Sequence, residues 1–147
     1  MLKGKAPLAT WVLPKLDDEG NLIEMERFDE AIQYLVDFIE KNGPFDGILG
    51  FSQGAGMSVL LLLILSQEDW RKRFNIPTDL PQFRLAIIIA GFKYATPNFA
   101  EFYARDKITT PTLHVYSPED TVITAERTLE MIDSQFTDVV HSVHNLG

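Results

Sequence analysis

An α/β fold with a mostly parallel sheet is what the sequence predicts, and three observations predict it. Short apolar segments alternate with segments whose apolar residues recur at helical spacing. The run LAIIIA at 85–90 lacks the in–out alternation of a half-wet sheet and reads as a strand covered on both faces, as parallel strands are. Alternation of strands and helices implies a parallel sheet flanked by helices, here a three-layer αβα arrangement.

The elements follow in order. Asp17-Asp18-Glu19-Gly20-Asn21 is a polar turn. After it Phe28, Ala31, Ile32, Leu35, Val36 and Ile39 fill one helical face completely, and Gly43-Pro44 stop that helix in the expected order. Phe45 to Phe51 is a short apolar strand that runs directly into Ser52-Gln53-Gly54-Ala55-Gly56 and an apolar helix over Met57 to Leu65. A second strand covers Arg84 to Ala90. A third, Thr112 to Tyr116, is introduced by Pro111. Ala125, Leu129, Ile132 and Phe136 mark another amphipathic helix, and Thr137 to Val143 is the expected final strand. With no repeat and no linker-like tract, the 147 residues read as one domain.

Composition narrows the function classes. A formal charge of −8 repels phosphate backbones and anionic headgroups, so nucleic acid and membrane surfaces are not expected partners. The absence of cysteine excludes disulfides, a thiolate nucleophile and Cys-ligated metal. The longest apolar run, Val59 to Leu65, is far short of the roughly 20 residues that span a bilayer. The N-terminal stretch has no secretory pattern, so a soluble, cytoplasmic protein is the expectation.

Gly50-Phe51-Ser52-Gln53-Gly54 matches G-x-S-x-G between an apolar strand and an apolar helix. In that context the serine sits on a strained turn that lifts its hydroxyl above the sheet. The flanking glycines are expected because a side chain at either position would collide with a neighbouring strand or helix. The backbone N–H of Gln53 would then face a developing oxyanion at the positive end of the helix dipole. A chance match arises in roughly one chain of this length in twenty, and the strand–turn–helix context makes it rarer.

An acid is expected after a later strand, in the order Ser, Asp, His. Asp120 lies in Ser117-Pro118-Glu119-Asp120-Thr121, just past the third strand, at the carboxyl edge where parallel sheets place their sites. The competing reading is a plain turn or helix-cap aspartate, and Glu119 is its nearest rival as the acid. His114 alternates within a strand and reads as core. His141 and His144 fall in the region of a triad histidine, but neither is a clear one. No metal-ligand spacing or phosphate loop stands out.

These features resemble the FSH family of serine hydrolases, and are similar to thioesterase-like hydrolases of fungal polyketide pathways. The resemblance is carried by NGPFDGILGFSQGAGM at 42–57, LAIIIAGF at 85–92, KITTPTLHVYSPEDTV at 107–122 and HNLG at 144–147. It implies a Ser–Asp–His triad with Ser52 as nucleophile and Asp120 as acid, small carboxylic ester or thioester substrates, and no metal or organic cofactor. The family's opening strand and Leu-His-Gly-type turn have no match, and its histidine would fall just beyond Gly147. The chain is therefore expected to be trimmed at both ends. Two functions follow: an esterase or thioesterase working through an acyl-enzyme on Ser52, or an inactive hydrolase scaffold serving as a binding module. The strand at 45–51 would also present an unpaired apolar edge. Three consequences are expected as alternatives: Trp11 to Pro14 pairs with that edge, a second copy self-associates there, or stability is poor.

Overall fold

The computed structural model describes residues 10–145. An antiparallel hairpin, β1 (Leu13–Leu16) and β2 (Leu22–Glu26), leads into α1 (Phe28–Asn42). Then come β3 (Gly47–Phe51), α2 (Gln53–Ser66), α3 (Glu68–Arg73), β4 (Leu85–Ile89), α4 (Pro97–Tyr103), β5 (Thr112–Tyr116), α5 (Ala125–Gln135) and β6 (Val139–Val143). Strands β3 to β6 form one parallel sheet in the order β3-β4-β5-β6. The expected α/β class and the position of every sheet strand hold, with ends shifted by at most two residues.

The hairpin is an element that periodicity did not reveal. Its turn is the polar segment expected at 17–21, closed by the Asp17 carboxylate accepting the Glu19 and Asn21 N–H groups at 2.9 and 2.8 Å. Leu13 and Pro14 pair with Glu26 and Met25 in a separate two-stranded sheet, and β3 pairs with β4 alone, which corrects the expectation that Trp11 to Pro14 pairs with β3. Both strands are short and largely exposed, so neither carries the buried alternation that announces a strand.

Register divides the sheet into two unlike faces. Gly50, Ile88, His114 and His141 lie side by side on one face. Here α2 packs against β3 and β4, and Phe136 at the end of α5 packs edge-on against His114 at 4.6 Å. Ala86, Ile88 and His114 are buried in consequence. Helix α2 is buried over Ala55 to Leu65, with β3, β4, α3 and α4 as neighbours, so it needs no polar side and shows none. Behind it Phe28, Trp70, Phe74, Phe99 and Phe102 form an aromatic cluster, with Phe28 and Phe99 centroids 4.7 Å apart. The Arg71 guanidinium donates to the Leu65 and Pro77 carbonyls at 3.1 and 3.2 Å and fixes the chain between α3 and β4.

On the opposite face, Leu49, Ile87, Leu113 and Val140 form one row, and Phe51, Ile89 and Val115 another. No helix covers these rows among the described residues. Leu49 is 63%, Phe51 65% and Val140 62% exposed. Of the run LAIIIA, expected to be covered on both faces, Ala86, Ile88 and Ala90 are buried, Ile87 and Ile89 are half-buried and Leu85 is exposed. Strand β3 hydrogen-bonds to β4 alone, so the expected unpaired edge is present.

Removing three carbons from the two faces should therefore have unequal costs. Ile88→Ala is expected to lower stability by about 3 kcal/mol, and Leu49→Ala by under about 0.5 kcal/mol, in urea unfolding of the two variants. Equal losses would mean that the Leu49 face is covered.

Candidate active site

Ser52 joins β3 to α2 with φ 52° and ψ −117°, a left-handed backbone that a side chain rarely adopts. Such a conformation costs about 1–3 kcal/mol and survives only where the surroundings hold it. Here they do. The Ser52 N–H donates to the Ile89 carbonyl at 3.0 Å, extending the β3–β4 ladder by one residue. Its own carbonyl accepts from the Ala55 and Gly56 N–H groups at 3.0 and 3.1 Å, starting the helix. The turn is pinned from strand and helix together, and Ser52 remains half-exposed at the carboxyl edge.

The glycines of the motif do different jobs. A Cβ on Gly50 would lie 2.5 Å from both the Gly54 carbonyl and the Ser58 hydroxyl, so only glycine lets α2 sit this close to β3. A Cβ on Gly56 would meet the Tyr94 ring at 2.9 Å. At Gly54 the nearest atom is the Trp11 indole nitrogen at 3.7 Å, an ordinary contact. The collision expected on both sides of the serine is thus found at Gly50 and not at Gly54, whose direction is outward.

Gln53 is the first residue of α2, so its N–H has no partner within the helix and lies at the positive end of the helix dipole. The rest of the residue is occupied. Its carbonyl accepts from the Tyr94 hydroxyl at 3.3 Å. Its carboxamide oxygen accepts from the Trp11 N–H at 2.8 Å and the Thr10 hydroxyl at 2.7 Å, and its carboxamide nitrogen donates to the Val12 carbonyl at 3.2 Å. Motif spacing marks Gln53 only as the residue after the serine. These partners are more than 40 positions away in sequence, and only folding brings them together. Burial pushes the Tyr94 and Tyr103 hydroxyls well above their ordinary pKa, so both act here as neutral hydrogen-bonding groups.

Asp120 follows β5 at the same carboxyl edge, two strands from β3. Strands 4.8 Å apart put about 10 Å between the two chain positions, a gap that one imidazole hydrogen-bonded at both ends can bridge. The carboxylate accepts from the Val122 and Ile123 N–H groups at 2.8 and 2.9 Å, so it also closes the turn before α5. The Ile123 N–H, then the Val122 N–H, hold its pKa below the ordinary value, and positive charge on His144 acts in the same direction. The carboxylate thus closes this turn at the carboxyl edge of the sheet. Glu119 points its backbone N–H at the Ser117 hydroxyl, at 3.1 Å.

The histidines separate by environment. His114 is fully buried against Phe136, with Nε2 3.1 Å from the Thr112 hydroxyl, a core residue as expected. His141 is exposed on β6, beside Tyr116. His144 is fixed at the end of β6 by its N–H donating to the Tyr116 carbonyl at 3.1 Å, which places it at the Asp120 rim. Leu146 and Gly147, the end of the stretch resembling the family's histidine loop, lie outside the described residues, as do residues 1–9. Among the described residues no three His, Asp or Glu side chains gather as a metal site would require. Among the described residues no helix is long and apolar enough to cross a membrane.

The parallel sheet with α2 packed against it shares its fold with solved α/β-hydrolase structures. Acyl-protein thioesterase 2 of Zea mays superposes with a TM-score of 0.58 over 92% of this chain and 63% of that one, at 18% identity. SOBER1 of Arabidopsis thaliana gives 0.57 over 94% and 67%, at 16% identity. The serine hydrolase (FSH1) family matches residues 3–145, and the chain belongs to that family. Esterase OVCA2 of Danio rerio is 38% identical over 104 residues, covering 71% of this chain and 42% of the relative. Esterase C25G4.2 of Caenorhabditis elegans is 33% identical over 120 residues, 82% of this chain and 51% of the relative. The chain thus spans about half or less of the length of these curated relatives.

Burial, and secondarily the charge of His141, lower the His114 pKa from 6.5 to about 4. Unfolded chain therefore binds more protons than folded chain between those values, so stability rises with pH across that window. Acidification from pH 6.5 to 4.5 is expected to cost about 2–3 kcal/mol, read from urea midpoints, and His114→Gln should flatten the slope. A wild-type slope that persists in the variant would assign it to another group.

Proposed function

We propose that this chain is a serine hydrolase domain that cleaves small carboxylic esters or thioesters through an acyl-enzyme on Ser52. The observation that carries this reading is the strained, doubly pinned conformation of Ser52 at the start of α2. A fold has little reason to keep that cost unless the hydroxyl must stand clear of the sheet.

In this mechanism the Ser52 Oγ attacks the substrate carbonyl carbon while a histidine accepts its proton. The carbonyl π electrons move to oxygen, and the Gln53 N–H donates to that oxyanion at the helix terminus. Collapse of the intermediate expels the alcohol or thiol, which takes the proton back. Water then repeats the sequence on the acyl-enzyme and releases the acid. Asp120 accepts from the imidazole and holds its tautomer. His144 is the described imidazole whose charge reaches Asp120, so it is the first histidine to test as base.

Fluorophosphonate labelling provides that test. Wild-type protein is expected to label at Ser52, Ser52→Ala not at all, and Asp120→Asn at least about 100-fold more slowly. His144→Ala labels slowly if His144 is the base, and at the wild-type rate if the base lies elsewhere. Absence of labelling in folded wild-type protein overturns the enzyme reading. It would favour the second one, a hydrolase scaffold acting as a binding module, which the bare apolar sheet face supports.

The same face and the free β3 edge lead us to infer self-association. Sedimentation velocity is expected to show mass rising with concentration, and Leu49→Lys to suppress the rise. A monomer at all concentrations would refute it.

A further inference from the structure

The Gln53 side chain has three hydrogen bonds that nucleophile chemistry does not require. Together its carboxamide oxygen and nitrogen accept one backbone N–H and donate to one backbone carbonyl of Thr10–Val12, as a neighbouring strand would. The Thr10 hydroxyl shares its one proton between Gln53 Oε1 and the Val12 carbonyl, 2.7 and 2.8 Å away. Val12 is fully buried, which anchors the segment, while Trp11 beside it is 38% exposed. An amide that binds an adjacent strap this completely leaves the Trp11 ring a restricted set of positions.

That ring lies over Gly54, the second residue of α2, and faces Tyr34 of α1 with centroids 6.3 Å apart. Beside the two rings is an open cavity of about 340 Å³, lined also by Thr10, Ala31, Arg27 and Glu30. Arg27 and Glu30 pair with each other at 2.9 Å, so the rim charges cancel locally. The exposed parts of the two rings, 38% of Trp11 and 63% of Tyr34, and a charge-balanced lining suit an uncharged apolar group. Ligand sites begin at about 300 Å³, enough for an alkyl chain of several carbons.

The geometry points to the Trp11–Tyr34 cavity as the subsite for an apolar chain of the ester substrate, with Gln53 as the residue that positions its Trp11 wall. This rests on the serine-hydrolase reading for the identity of the ligand. The reason is proximity: one residue, Gln53, supplies the N–H at the nucleophile and grips the wall of the cavity. A substrate whose carbonyl meets Ser52 can reach across Gly54 to the indole, because no side chain at that position blocks the way. Gly54, whose Cβ direction is open, gains a function as the sill between the two.

Binding and turnover are to be measured separately. In a Trp70→Phe background Trp11 is the sole tryptophan, since the chain has two. Titration with 2-decanone, an uncharged ester isostere without a leaving group, is expected to shift Trp11 emission saturably. Tyr34→Ala and Gln53→Met should weaken that titration by about tenfold, while thermal unfolding checks that each variant folds. No saturable shift in folded protein overturns the inference, whatever the enzyme assay shows. With p-nitrophenyl esters, Gln53→Met is expected to lower kcat/KM at least about threefold more for octanoate than for acetate. Equal losses for both esters overturn the positioning role and leave the hydrolase reading intact. Absence of wild-type turnover, with the titration still saturable, overturns that reading and leaves the apolar subsite standing.

Discussion

The close approach of α2 to β3 at Gly50 is the constraint on which the rest of the structure depends. There is no room for a Cβ between the strand and the first helical turn. At this junction the strand-side bond from the Ser52 N–H to Ile89 and the helix-side bonds from Ala55 and Gly56 to the Ser52 carbonyl hold the serine backbone in its left-handed state. The same approach buries α2 along its length and seats Ile88 and Ala86 beneath it. Core packing and site geometry are therefore one arrangement: the burial of an apolar helix supplies the energy that keeps one serine strained.

Everything at the site lies at the carboxyl edge of β3, β4 and β5, as parallel sheets arrange their ligand sites. Residues reach that edge by different routes. Ser52 and Gln53 come from the turn itself, Asp120 from the turn after β5, Tyr94 from the segment after β4, and Trp11 from ahead of the hairpin. Gln53 connects three of these routes with four polar contacts besides its N–H. Asp120 shows a similar economy, closing its own turn with two backbone bonds while its carboxylate stays at the rim.

The two faces of the sheet set the protein's physical character. One is closed by helices and holds a neutral, buried histidine; the other is an apolar surface open to solvent among the described residues. Exposed apolar strands beside a free edge are unusual on the surface of a folded domain. The net charge of −8 opposes indiscriminate aggregation of such a surface without covering it.

Local pattern alone was enough to place α1, α2, α5 and the four sheet strands, because each buries a face or a whole segment whose period shows in the residues. It also marks Ser52, Gln53 and Asp120 as candidates, since a strand–glycine–serine–glycine–helix junction and a post-strand acid turn are contiguous in the chain. The hairpin, α3 and α4 escaped: they are short, and their apolar contacts are made with distant segments and not along a periodic stripe of their own. That Gly54 meets only the Trp11 indole at an ordinary contact distance, that Gln53 grips Thr10–Val12, and that one sheet face lies bare were decided only by tertiary structure. An apolar residue declares a preference for burial, but whether anything arrives to cover it depends on where the other elements pack.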